Sequence, residues 1–223
     1  MGDIEQIEFM KHLASNLQGP ILEIGSKRYG GFPMFFDYRT LFPAATRYVG
    51  VDMEAGEGVD AVVDMTADID TIRKKVGTGS FQTIICLSVM EHVGDIVTFS
   101  RNVEALLAPG GTLVLSVPFV WEIHAYPYDY WRFTPRAIEF LYPSIAFDPA
   151  ISRLHTDTGR VASLNDVGDD MNRFVKMIYK PAHKDKTLGK RLRIMTYSLV
   201  RRLFGLGKNP LYNTNIEMVG RKK

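Results

Sequence analysis

Apolar positions along the chain follow two rhythms. Between residues 4 and 17 they recur at roughly helical spacing (Ile4, Ile7, Phe9, Leu13, Leu17), and Gly19-Pro20 ends that helix. After it the rhythm changes to short continuous apolar runs. ILEIG (21–25), RYVGVD (47–52), DAVVDM (60–65), FQTIICLSV (81–89) and TLVLSVPF (112–119) have no sustained polar face, which predicts strands buried on both sides. IDTIRKKV (69–76) predicts a short helix. DIVTFSRNVEALLAPGG (95–111) predicts a longer one closed by a Pro-Gly-Gly turn. Strands alternating with helices predict an α/β protein with a doubly wound, mostly parallel sheet and helices on both faces.

The second half is less regular. TPRAIEFLYP (134–143) predicts a helix with Thr134 as N-cap and Pro135 in the first position. Residues 145–155 read as a strand, SLNDVGDDMN (163–172) as a loop and RFVKMIY (173–179) as an alternating strand. TLGKRLRIMTYSLVRRLFGLG (187–207) reads as a basic helix and TNIEMVGRK (214–222) as a final strand. No repeat or low-complexity tract interrupts the order.

With 223 residues, 46% of them hydrophobic, the chain can bury one substantial core. Its charge is uneven. Residues 1–179 hold 15 Lys/Arg against 23 Asp/Glu, a net of −8, whereas 180–223 hold 12 against 2, a net of +10. The expected division is therefore a body over residues 1–180, followed by a basic appendage and a last strand of the same sheet over 181–223. The single cysteine, Cys86, sits in an apolar run and reads as a buried thiol in a reducing compartment. The acidic opening MGDIEQIEFM lacks the apolar stretch of a signal peptide, and no apolar run reaches the length of a membrane span. The expectation is a cytoplasmic protein.

The chemistry gathers where consecutive strands end, the place at which a doubly wound sheet binds ligands. Gly25 and Ser26 follow the first strand, Asp52 closes the second, Asp64 the third, and Leu87-Ser88 the fourth. A carboxylate after the second strand suits both hydroxyls of a ribose, and one after the third suits an adenine amino group. Met53, Met65 and Leu87 suit the faces of a base. The turn itself reads Gly25-Ser26-Lys27-Arg28-Tyr29-Gly30-Gly31. A dinucleotide turn needs a second glycine where Lys27 stands, so a pyrophosphate is disfavoured. A nucleoside with an amino-acid tail tolerates the change, its ammonium and carboxylate meeting Glu23 and the turn amides. The Lys27 and Arg28 side chains either face solvent or help hold the carboxylate.

Taken in order, ILEIGSKRYGG, YVGVDM, VVDMT, FQTIICLSVMEHV and LLAPGGTLVLSVPF resemble the successive motifs of class I S-adenosylmethionine (SAM)-dependent methyltransferases, over about residues 20–120. They are most similar to the small-molecule group in which the fourth strand runs into a VLEHV-like segment. The resemblance implies a Rossmann-like methyltransferase fold with a seven-stranded sheet and an antiparallel last strand, for which TNIEMVGRK is the candidate. It implies SAM as cofactor and methyl transfer as activity. Carried over by position, Glu23, Gly25, Ser26, Lys27, Asp52, Met53, Asp64, Met65, Leu87 and Ser88 would line the cofactor site. Gln82, where the pattern commonly has Asp, touches only local packing.

The segment PFVWEIHAYPYDYWRFTP (118–135) packs two Trp, three Tyr and two Phe with His124, Asp129 and Arg132 into 18 residues. In this family such a loop generally receives the acceptor, and similar stretches recur in bacterial methyltransferases associated with natural products and surface glycans. Trp131 and Phe133 are expected to pin the loop down. His92, Trp121, Tyr126, Tyr128 and Arg132 are expected to meet the acceptor. His124 is the expected general base, with Asp129 as orienter or alternate base and His92 as the competing candidate. Glu91-His92 resembles the tail of an E-x-x-E-H metal site of some quinone O-methyltransferases, but Ser88 holds the place of the first acid, so no metal is expected.

The implied reaction is in-line methyl transfer to an oxygen or nitrogen of a small molecule or glycan. Other readings stay open on the residues: a SAM-binding module without catalysis, a membrane-associated scaffold, and methylation of nucleic acid or protein. Residues 184–206 carry a leucine stripe opposite basic positions, which packs on the body or touches an anionic membrane or lipid-linked acceptor. No stacking pattern for nucleic acid accompanies that charge.

Overall fold

The computed structural model describes residues 4–28, 36–77, 79–125, 127–156, 159–168 and 213–223. One mixed sheet organises them. Its strands are β1 (Ile21–Ile24), β2 (Tyr48–Asp52), β3 (Ala61–Val62), β4 (Phe81–Leu87), β5 (Leu107–Val120), β6 (Ile145–Phe147), β7 (Arg153–Thr156), β8 (Val161–Ser163) and β9 (Thr214–Lys222), in the order β3-β2-β1-β4-β5-β9-β7-β8. The first five run parallel, and β9 runs antiparallel to β5 from Thr112↔Arg221 to Val120↔Thr214. β6 and β7 both pair antiparallel with β9, at its two ends. The resemblance implied seven strands; nine are present among the described residues, because β6 and β8 add short pairings.

The central strands are buried on both faces, as their unbroken apolar runs require. Leu22, Ile24, Val51, Ile84, Cys86, Leu113 and Leu115 face the larger core, together with Ile72 and Val76 of α2 (Ile69–Val76) and Phe99, Val103 and Leu106 of α3 (Ile96–Leu106). Ile21, Ile85, Val114 and Val219 face the smaller one, under Phe9, Met10 and Leu13 of α1 (Ile4–Ala14). Cys86 is fully buried and free, and burial pushes its thiol far up.

Local chemistry sets the helix ends. The Asp68 carboxylate accepts from the N–H groups of Asp70 and Thr71 at the start of α2, and Gly77 closes it in the left-handed region. Thr134 Oγ1 accepts from Ala137 N–H at the start of α4 (Pro135–Leu141), with Pro135 in the first turn as expected.

Five expectations change. α1 stops at Ala14. β3 shrinks to two residues because only β2 pairs with it. Pro109, Gly110 and Gly111 lie inside β5 as a bulge opposite Gln82, between Phe81↔Leu107 and Thr83↔Thr112. The expected strand over 145–155 divides into β6 and β7, because Asp148 turns the chain by accepting from Ser152 N–H through its carbonyl and from Ala150 N–H through its side chain. The start of the expected 163–172 loop is a short helix, α5 (Leu164–Val167), capped by Ser163. The expected strand over 173–179 and the basic helix over 187–207 lie outside the described residues. No described helix is long and apolar enough to cross a membrane.

Candidate active site

The sheet brings the ends of β1, β2, β3 and β4 into one row. Ile24 of β1 pairs with Val51 of β2, so the glycine turn and Asp52 emerge side by side. Gly25 has φ +80°, and a Cβ there would lie 2.2 Å from Val89 Cγ2, so the tight turn accepts only glycine. The N–H groups of Gly25 and Ser26 both donate to Val51 O, at 2.8 and 3.1 Å. Ser26 is buried, and its Oγ has no hydrogen-bond partner among the described residues.

Asp52 anchors the turn. Its Oδ2 accepts from Lys27 N–H at 3.2 Å and its Oδ1 from Glu54 N–H at 3.1 Å. Each oxygen keeps a further lone pair for a ligand. The Lys27 ammonium pairs with Glu54, and the Arg28 guanidinium with Asp37 at 3.2 Å and Glu57 at 3.3 Å. Their charges are thus met by the protein's own acids.

The other expected cofactor residues divide. Met53 is 69% exposed beside Asp52. Asp64 is exposed after β3, where its Oδ1 accepts from Thr66 N–H at 2.8 Å and Thr66 Oγ1 at 2.6 Å. Leu87 is half-buried. Ser88 has φ +55°, donates its N–H to Ser116 O at 2.8 Å, and accepts from Gln6 Nε2 at 3.3 Å. Two differ from expectation. Met65 packs within the larger core, so Met53 and Leu87 are what remain of the apolar trio. Glu23 accepts from Tyr48 Oη at 2.8 Å, and burial pushes its carboxyl up to about 7. A half-protonated carboxyl is a weaker partner for an ammonium than the sequence implied.

The aromatic loop after β5 is held by an ion pair in addition to the two expected aromatic residues. The Asp129 side chain is 1% exposed and takes a two-pronged ion pair from Arg132, at 2.6 and 2.9 Å. Arg132 also donates to the carbonyls of Trp121 (3.2 Å), Glu122 (3.0 Å) and Trp131 (2.7 Å). These contacts use all five guanidinium N–H groups. Arg132 is therefore a clamp on the loop and has no donor left for an acceptor. The same guanidinium holds the Asp129 carboxyl far below the usual carboxylate range, which removes Asp129 as a base near neutral pH.

Asp129 can still orient. Its Oδ2 accepts from His124 N–H at 2.8 Å and lies 3.3 Å from His124 Nδ1, which also faces Glu122 O at 3.1 Å. Both neighbours only accept, so Nδ1 carries the proton and Nε2 the lone pair. His92, on the turn after β4, has its Nδ1 2.7 Å from Tyr128 O, which fixes the same tautomer, and burial lowers its pKa. The two imidazoles meet edge to face, with centroids 4.9 Å apart, and the Trp121 ring lies 6.5 Å from His124. Tyr128 is 63% exposed at the rim, and Tyr126 lies outside the described residues. Phe133 is buried and Trp131 Nε1 donates to Val93 O at 2.8 Å, so both pin the loop as expected.

Two groups went unassigned in the sequence. Glu91 is 2% exposed, with Oε2 lacking a partner among the described residues, and burial pushes its carboxyl up to about 7. Its sequence signals are the Glu91-His92 pair noted above and the apolar Met90 and Val93 that flank that pair. Glu217 is fully buried on β9, ion-paired with Arg153 and 3.4 Å from His155 Nδ1. A lone acid within an apolar strand is the signal there.

No protein-family model matches the chain. A ubiquinone biosynthesis O-methyltransferase of Xanthomonas euvesicatoria pv. vesicatoria (strain 85-10) is 38% identical over 64 residues, which is 29% of this chain and a quarter (25%) of that relative's length. Among solved structures, the N-methyltransferase NodS of Bradyrhizobium japonicum WM9 bound to S-adenosylhomocysteine matches at TM-score 0.52 and 12% identity, over 99% of this chain and 88% of that one. A SAM-dependent methyltransferase of Archaeoglobus fulgidus matches at TM-score 0.52 and 11% identity, over 99% and 95%. A 1,6-didemethyltoxoflavin N1-methyltransferase of Burkholderia thailandensis matches at TM-score 0.50 and 13% identity, over 96% and 78%. The resemblance carried by the motifs thus meets its counterpart in three dimensions: this chain has the fold of the SAM-dependent methyltransferases.

Proposed function

We propose that the protein is a SAM-dependent methyltransferase acting on an oxygen or nitrogen of a small molecule or glycan. The observation that carries the reading is Asp52, which closes β2 in register with the glycine turn and is tied to it through Lys27 N–H. Its remaining lone pairs suit the two ribose hydroxyls. The buried, unpartnered Ser26 Oγ fits a site that expects a polar ligand, because a hydroxyl left unpaired in the interior is costly. Asp64, exposed after β3, would suit an adenine amino group, and Met53 and Leu87 would suit the faces of the base.

The cofactor, when bound, supplies a methyl group on a sulfonium. The chain's contribution is to hold the acceptor in line and to take its proton. His124 suits the second task. Asp129 and Glu122 O hold its Nδ1–H, which leaves Nε2 to accept, and the Arg132 clamp fixes the loop that carries it. Trp121 and the exposed Tyr128 supply the adjoining aromatic surface. The short stretch shared with an O-methyltransferase supports oxygen as one of the candidate atoms.

The test is turnover. SAM is incubated with the protein and, separately, with phenolic, amine and glycan acceptors, and release of S-adenosylhomocysteine is followed. One class should accelerate that release, and His124→Ala should slow it at least tenfold while cofactor affinity stays within about twofold. Acceptor-independent release in every case would reject the reading.

A further inference from the structure

We propose that Glu91, His92 and His124 form a binding site for a divalent first-row transition ion of the Zn2+ class. The site is defined without reference to methyl transfer and goes beyond it.

Three independent features converge. First, one coordinating atom from each of the three side chains lies within 4.8 Å of the other two, although they come from the turn after β4 and the loop after β5. His92 Nε2 is 3.9 Å from Glu91 Oε1. Ligands at about 2.1 Å in a tetrahedron are separated by roughly 3.4 Å, so closing on an ion needs shifts of about 1 Å. His124, with 35% of its side chain exposed, has room to make them.

Second, both imidazoles are already set as metal-binding imidazoles are. Each gives Nδ1–H to an acceptor: His92 to Tyr128 O, and His124 to Glu122 O with Asp129 alongside. That arrangement presents Nε2 as the ligand atom and is the usual outer shell of a metal-bound histidine. Asp129 is itself fixed by Arg132, so the outer shell continues into the loop clamp.

Third, Glu91 is a buried carboxylate with an unpartnered oxygen, a costly placement unless a cation completes it. Tyr130 N–H donates to Glu91 O at 2.8 Å, which straps the His124 loop against the turn that carries Glu91 and His92.

Two imidazoles and one carboxylate favour Zn2+, Ni2+ or Co2+ over Mg2+ or Ca2+, which prefer oxygen ligands. This donor set also differs from the E-x-x-E-H pattern, whose first acid is Ser88 here: the third ligand comes from the other loop.

The test uses the full chain after chelator treatment, titrated calorimetrically with Zn2+ alone and with Mg2+ alone. One Zn2+ per chain should bind, at least tenfold more tightly than Mg2+. Glu91→Gln, His92→Ala and His124→Ala should each weaken it at least tenfold, while Asp52→Ala leaves it unchanged. His124, being partly exposed, keeps the test valid if Glu91→Gln fails to fold. Absence of saturable Zn2+ binding, equal affinity for Mg2+, or Zn2+ binding that survives in folded His124→Ala overturns the site. S-adenosylhomocysteine binding in chelator-treated buffer reads the cofactor site separately.

Discussion

At the scale of single residues, Arg132 shows how a side chain's role depends on what it touches. The sequence placed it among aromatic residues and suggested acceptor binding; the structure spends every guanidinium N–H inside the loop. Removing it strands the buried Asp129 charge. Arg132→Ala should cost about 3 kcal/mol in denaturant unfolding and slow turnover, whereas Asp129→Asn/Arg132→Ala should recover part of the loss. Equal destabilisation by the single and double variants would contradict the clamp.

Glu23 gives a pH signature. Its carboxyl, near 4.5 in the unfolded chain, is pushed up to about 7 by burial, against the opposing hydrogen bond from Tyr48. The folded state therefore holds the proton more tightly, and stability falls as pH rises from about 4.5 to about 7, by on the order of 3 kcal/mol. Thermal unfolding without cofactor or metal should show this decline, to which Glu91, likewise raised to about 7 by burial, adds its own share; Glu23→Gln should make the slope shallower without abolishing it, and an unchanged slope would contradict the assignment. Gly25 and Asp52 were legible because their positions at strand ends follow from the pattern. Met65, Glu23 and Glu91 were not, because burial and pairing are set by neighbours far along the chain.

At the scale of elements, legibility followed the strength of the local signal. α2 and β9 have the bounds that their apolar spacing and end residues predict, and α4 starts as predicted but ends earlier, at Leu141; each combines a clear period with a cap or a partner strand. Thr134→Ala should cost about 1 kcal/mol by removing the α4 N-cap, measured by chemical denaturation; no change would show that the Thr134 hydroxyl contributes nothing. The division of 145–155 into β6 and β7 was hidden, because Asp148 makes its turn inside a stretch with few polar residues. The bulge at Pro109-Gly110-Gly111 was read as a turn, because composition alone does not tell whether pairing resumes in the same strand.

At the scale of the molecule, parallel order explains why the site lies where it does. Five parallel strands bring their carboxyl ends to one edge, so residues as distant as Gly25, Asp52, Asp64 and Ser88 share a surface with the loop of His124. The alternation of runs and helices made this architecture readable. The meeting of Glu91, His92 and His124 was not readable, because it requires the loop after β5 to fold back on the turn after β4. The basic segment 184–206, for which membrane contact was considered, lies outside the described residues.

The most direct test of the central claim is calorimetric titration of the protein with S-adenosylhomocysteine, comparing wild type with Asp52→Ala. The account predicts one site per chain in the wild type and a ten- to hundredfold weaker affinity in the variant, about the value of hydrogen bonds to a charged carboxylate. Absence of binding to folded wild-type protein, or equal affinity for both proteins, would contradict it.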